Sequence, residues 1–134
     1  MQVTELMTNA VLTIRSDAPL EQAATEMRLG HVRHLPVVDL EGRVVGVLSS
    51  FDVMRALAQG NARAQVRDVM SKQVVSVRDE SAASDAARQM RELKIGSLPV
   101  VDADGRLLGI VTETDFLEVA ELALAGKPLR RRHG

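Results

Sequence analysis

The stretch His34-Leu35-Pro36-Val37-Val38-Asp39-Leu40-Glu41-Gly42-Arg43-Val44-Val45-Gly46-Val47-Leu48-Ser49-Ser50-Phe51-Asp52 decides the fold, because the chain says it twice. Its second form is Ser97-Leu98-Pro99-Val100-Val101-Asp102-Ala103-Asp104-Gly105-Arg106-Leu107-Leu108-Gly109-Ile110-Val111-Thr112-Glu113-Thr114-Asp115. The offset, 63 residues (115 against 52), holds without a gap in both directions. Met7 meets Met70, Val11 meets Val74, and Ala23, Ala24, Met27 and Arg28 meet Ala86, Ala87, Met90 and Arg91. A repeat this long is one supersecondary unit used twice. Inside the phrase, Leu35–Val38 and Val44–Leu48 are β-branched-rich runs of strand length. The turn between them, Asp39–Gly42, supplies a glycine for positive φ.

Upstream of the phrase, Thr4–Thr8 reads as a short capped turn and Val11–Ile14 as a brief strand. Ser16-Asp17-Ala18-Pro19 has helix-start chemistry. Leu20, Ala23, Ala24 and Met27 then fall at i, i+3, i+4 and i+7, one apolar stripe facing a core. Gly30 is expected to stop that helix in the left-handed conformation. A second helix is expected from Ser50 to Ala58, ending near Gly60. The plan restarts with a strand at Val74–Val77, the stripe Ala83, Ala86, Ala87 and Met90, the hairpin strands Leu98–Val101 and Leu107–Val111, and a helix from Glu113 to Leu124. Each unit therefore reads β-α-β-β-α, an α+β fold. The boundaries are repeat 1 over residues 1–61, a link over 62–67, repeat 2 over 68–126 and a basic, disordered tail over 127–134. The last helix is apolar around most of its circumference, so it is expected to form an oligomer interface, a symmetric homodimer being the commonest closure.

With 134 residues the chain is one domain or two small units sharing a core, and a lone repeat would fold only marginally. Its 17 basic and 18 acidic residues nearly cancel, which argues against nucleic acid and anionic membranes as partners. Two phenylalanines, with no Trp or Tyr, make a poor stacking platform for single strands. No cysteine means no disulfide, thiolate ligand or thiol nucleophile. No signal-peptide pattern and no membrane-length apolar run occur, so the expectation is a cytoplasmic protein.

Chemistry concentrates at Ser49-x-x-Asp52 and Thr112-x-x-Asp115, each at a strand-to-helix junction. The plain reading is an N-cap, with the hydroxyl accepting a backbone N–H and the acid complementing the helix dipole. A helix start is also an anion site, and a carboxylate there can accept two hydrogen bonds from a vicinal diol. Gly46 and Gly109, three residues before each hydroxyl, either let a ligand approach the strand or mark a bulge. His31 and His34 have no third ligand in view, so no metal is expected. The methionines sit mostly on apolar stripes as core filler. No phosphate-cradling loop, nucleophile elbow or catalytic triad appears, so no catalytic residues and no enzyme are expected.

The order aliphatic-Pro-Val-Val-Asp, turn glycine, Gly-aliphatic-aliphatic-Ser/Thr-x-x-Asp resembles the CBS domain, named after cystathionine β-synthase. Here it occurs as the tandem pair called a Bateman module, over about residues 3–122. The resemblance implies two β-α-β-β-α repeats packed sheet to sheet about a pseudo-two-fold. It also implies clefts between the repeats that in many relatives bind AMP, ADP, ATP or S-adenosylmethionine, with no required cofactor. Carried over by motif, Asp52 and Asp115 would read ribose hydroxyls, with Ser49 and Thr112 beside the ribose or phosphate. In the nucleotide-sensing subunit of the AMP-activated kinase, basic residues before the Leu-Pro-Val run hold phosphates. That position is Arg33 and His34 in the first copy but Gly96 and Ser97 in the second. Thr8–Val11 and Ser71–Val74, together with Pro36 and Pro99, match the side that contacts adenine. Such a module would signal in trans to an unidentified effector protein. The alternative is a ligand-free CBS pair that dimerises and docks on another protein.

Overall fold

Six short strands form two sheets of three in a computed structural model that describes residues 1–9 and 11–129. In the first repeat, strand β1 (Ile14–Arg15) is followed by helix α1 (Leu20–Gly30), strands β2 (His34–Val38) and β3 (Val44–Ser49), and helix α2 (Ser50–Ala58). A short helix α3 (Val66–Val69) then leads to β4 (Val77–Arg78), α4 (Ala83–Leu93), β5 (Ser97–Val101), β6 (Leu107–Thr112) and α5 (Glu113–Leu124). A single 3₁₀ turn covers Val3–Glu5. The α+β class and the β-α-β-β-α order of each repeat agree with the sequence reading.

Each sheet is ordered with the middle strand of its repeat at the centre: β1-β2-β3 and β4-β5-β6. The first strand runs parallel to the second, and the second antiparallel to the third. The first strands are shorter and later than the sequence suggested. In the first copy β1 is reduced to Ile14 and Arg15, opposite Val37 and Val38. In the second copy β4 is reduced to Val77 and Arg78, opposite Val100 and Val101. The hairpin turns behave as their glycines require, with Gly42 at φ 82° and Gly105 at φ 84°. Asp39 and Asp102 each fold over their turn, one carboxylate oxygen accepting two backbone N–H groups. The left-handed stop after α1 is not Gly30 but His31, at φ 52°, matched by Lys94 at φ 56° after α4. Gly30 stays helical, and a Cβ there would collide with the Leu12 side chain.

Packing divides the chain differently from the repeat. One unit is Leu12–Val74; the other joins Met1–Val11 to the chain from Val75 onward. Limits at 61 and 68 describe the repeated phrase, while the folded units are cut elsewhere. The opening of each repeat belongs to the unit that holds the other phrase. Val66 N–H donates to Ala18 O, and its 63-residue counterpart Val3 donates to Ser81 O. Val66 is fully buried with Leu20, Leu35, Val37 and Leu48 in one core; Val3, Leu6 and Met7 are buried with Leu98, Val100 and Val111 in the other. The residues expected to link the repeats thus contain the start of α3. Two core clusters stand where one shared core was an option. The Lys127–Leu129 segment has no regular structure, and the rest of the basic tail lies outside the described residues.

Helix α5 packs through Phe116 and Val119 against the second core, yet its one buried residue is Asp115. Leu117 and Leu124 are 68% and 89% exposed.

Candidate functional site

Alternation along β2 and β3 sorts the phrase onto two faces. Leu35, Val37 and Leu48 have no exposed surface and face the unit's core. His34 and Pro36 lie on the opposite face, paired across the ladder with Ser49 and Val47. Ser71 completes the row: its backbone exchanges two hydrogen bonds with Val47, at 3.0 and 2.9 Å. In the other unit the same row is Pro99, Ile110 and Thr8, closed by bonds of 2.9 and 3.0 Å between Thr8 and Ile110. Ser71 therefore belongs to the unit of Pro36, Ser49 and Asp52, whereas Thr8 belongs to that of Pro99, Thr112 and Asp115. Val74 and Val11 are the residues at which each of these segments leaves its unit.

The two strand glycines owe their identity to this edge segment. A Cβ on Gly46 would stand 2.5 Å from Met70 Sδ and 2.8 Å from Ser71 O; on Gly109 it would stand 2.8 Å from Met7 Sδ and 2.6 Å from Thr8 O. The chain itself makes the close approach for which a ligand was one candidate. The bulge reading also holds, since Val37 pairs with Gly46 but Val38 pairs with Val44, leaving Val45 as the extra residue. Leu108 is its equivalent in the second sheet.

At the end of β3, Ser49 takes extended backbone angles and caps α2, its Oγ accepting from Asp52 N at 3.1 Å. Asp52 is left half-buried, its side chain 26% exposed, and its Oδ1 meets Arg55 Nη2 at 3.1 Å. The Arg55 guanidinium also lies over the Phe51 ring, 5.4 Å from the centroid. Thr112 caps α5 in the same way, but here the capping box closes. Asp115 Oδ2 accepts from Thr112 N at 2.8 Å and from Thr112 Oγ1 at 3.1 Å, and the residue is only 4% exposed. The residue one turn on is Glu118, where the first copy has Arg55. Asp115 has no arginine at that position, and its carboxylate is held by the cap instead.

Arg33 and His34 sit at the same junction. The Arg33 carbonyl accepts from Ser50 N at 2.8 Å, His34 lies across from Ser49, and both side chains are exposed. Gly96 O and Glu113 N repeat that bond at 3.0 Å in the second copy. The structure thus gathers Arg33, His34, Ser49 and Asp52 at one helix start. It adds Arg55, a residue the motif did not single out although its mismatch with Glu118 is visible at the repeat offset.

The phrase, its hydroxyl–acid caps and the two matching sheets have direct counterparts among known proteins. The chain matches the CBS domain family over residues 3–59 and 66–121. It belongs to that family, as a tandem pair. A CBS domain-containing protein of Dictyostelium discoideum is 32% identical over 129 residues, covering 87% of this chain and 89% of that protein. Other curated relatives are far longer. The homoserine O-acetyltransferase of Methanohalobium evestigatum is 30% identical over 119 residues, and this CBS pair spans 24% of its length. Among solved structures, CBSX2 of Arabidopsis thaliana in complex with AMP is 30% identical with a TM-score of 0.79, covering 92% of this chain and 98% of that one. The CBS domain pair of protein MJ0100, in complex with 5'-methylthioadenosine and S-adenosyl-L-methionine, is 28% identical with a TM-score of 0.76, covering 90% and 96%.

Proposed function

We propose that this CBS pair is a regulatory sensor for an adenosine-containing ligand, with Asp52 and Asp115 as the ribose acceptors and Ser49 and Thr112 beside them. The observation that carries the reading is a hydroxyl and a carboxylate held together at a helix start, twice, in a fold whose relatives were crystallised with AMP and with S-adenosyl-L-methionine. Arg33 and His34 would receive phosphate, where the positive end of α2 adds its dipole. The adenine side falls to Ser71 and Val74 with Pro36 in one unit, and to Thr8 and Val11 with Pro99 in the other. The module is regulatory rather than catalytic and works in the cytoplasm; among the described residues no helix is long and apolar enough to cross a membrane. It acts as a homodimer that presents a ligand-dependent surface to an effector protein.

A second reading, a ligand-free interaction module, is favoured by two observations. Asp115 is already buried in its own cap, and α5 exposes Leu117 and Leu124. Thermal shift with AMP, ADP, ATP, NADH and S-adenosylmethionine separates the two. A ligand at 100 times its Kd adds about 2.7 kcal/mol of stability, which a melting curve registers clearly. No shift with any of them at millimolar concentration leaves the interaction module standing and removes the sensor.

A further inference from the structure

The two helix starts share their caps and oppose each other in charge. At positions related by the 63-residue offset, Arg33 becomes Gly96, His34 becomes Ser97, Ser50 becomes Glu113 and Arg55 becomes Glu118. Folding brings each set to one place. In the first unit, the Arg33 carbonyl is bonded to Ser50 N, His34 faces Ser49, and Arg55 is held by Asp52 and by the Phe51 ring. In the second, Gly96 O is bonded to Glu113 N, Ser97 faces Thr112, and the Glu113 carboxylate lies 3.7–3.9 Å from where a Gly96 Cβ would stand. At these matched positions, two arginines against Asp52 give the first site +1 with histidine neutral, whereas Glu113, Asp115 and Glu118 give the second −3.

The helix dipoles amplify this contrast. The partial positive charge at a helix N-terminus favours an anion there. One acid, Asp52, sits in the first turn of α2, and it is turned toward Arg55. Two acids, Glu113 and Asp115, occupy the first turn of α5, so its N-terminus is already served by the chain's own carboxylates. All these groups sit in the first two turns of the helix or on the residue bonded to its start, and charges within roughly 8 Å of one another stay coupled at physiological salt.

We propose that the two sites sort adenosine ligands by charge: the Ser49/Asp52 site takes phosphorylated nucleotides, and the Thr112/Asp115 site takes adenosine derivatives without phosphate, with a neutral or cationic 5' substituent. Arg33 and Arg55 select for phosphate; Glu113 and Glu118 select against it. This rests on the adenosine reading above and assigns a ligand class to each half of it. A phosphate monoester carries close to two negative charges at neutral pH, so exchanging these residues alters its binding far more than that of unphosphorylated adenosine.

Calorimetric titration of the whole chain with AMP, adenosine and S-adenosylmethionine tests it. The Arg33→Gly/Arg55→Glu variant gives the first site the second copy's residues and is expected to weaken AMP roughly tenfold or more, leaving S-adenosylmethionine within about twofold. The Glu113→Ser/Glu118→Arg variant is expected to gain AMP binding at the second site and to lose S-adenosylmethionine. AMP binding unchanged in both variants overturns the sorting while leaving the adenosine reading in place. No heat with any of the three ligands on the unaltered chain overturns both. All four substituted side chains are exposed, and circular dichroism of each variant verifies that the fold is retained.

Discussion

Asp52 and Asp115 occupy the same position of the same phrase and do different things. Asp52 leans out of its cap to Arg55, whereas Asp115 turns inward and is bonded by the backbone and hydroxyl of Thr112. Three residues downstream the copies also differ, with Arg55 in the first, paired to Asp52, and Glu118 in the second. A motif fixes where a carboxylate is placed. Its neighbours decide whether that carboxylate serves the fold or remains available to something else.

The two units can be pulled apart experimentally, and the largest effect is expected from the exchanged opening segments. Removing residues 1–8 takes Val3, Leu6 and Met7 out of the core built on the second phrase. Burying such side chains is worth about 1.5–3 kcal/mol each, so that unit should lose roughly 5 kcal/mol or more. Hydrogen exchange should show protection lost in β5 and β6 and kept in β2 and β3; the reverse would mean the opening segment serves its own repeat. Next in size are Gly46→Ala and Gly109→Ala. Each methyl would press on a backbone carbonyl and a methionine sulfur, costing roughly 1–3 kcal/mol in urea denaturation.

The aspartates come third. Asp115→Ala leaves Thr112 without its buried acceptor and should cost roughly 1–3 kcal/mol, whereas Asp52→Ala removes a partly exposed ion pair and should cost less than about 1 kcal/mol. Equal losses in the two variants would erase the comparison. The smallest effect concerns acid. The backbone N–H of Arg106 foremost, with that of Asp104 and the charges of Arg106 and Arg78, holds the Asp102 carboxyl below the ordinary aspartate value. A lowered folded value means a stabilising contribution that is complete above the ordinary aspartate range and is lost as pH falls through the lowered one. Asp102→Ala should therefore flatten the acid limb of a stability–pH curve, with the slope near neutrality unchanged.

Much of this architecture was legible in the residues. The 63-residue offset carried the order of elements, and the β-branched-rich runs Leu35–Val38 and Val44–Leu48 carried the hairpin strands. The hairpin turns and both N-caps followed from local chemistry. What stayed hidden was non-local. Nothing near Val3 or Val66 says which phrase each will pack against, because either core would accept a valine. The strand glycines pointed correctly to a close approach, but sequence could not say that the approaching group would be Met70 and Ser71 instead of a ligand. His31 took the left-handed position beside a glycine better suited to it, and Gly30 stays in the helix against the Leu12 side chain. Asp115 turns inward to its cap where Asp52 turns to Arg55, a residue outside the phrase.

The inequivalence of the two sites is tested most directly by the stoichiometry of AMP binding to the whole chain, measured by calorimetry together with the Asp52→Ala and Asp115→Ala variants. One AMP per chain, abolished by Asp52→Ala and retained by Asp115→Ala, is the expected result. Two equal AMP sites, or a single site lost only with Asp115→Ala, would contradict it.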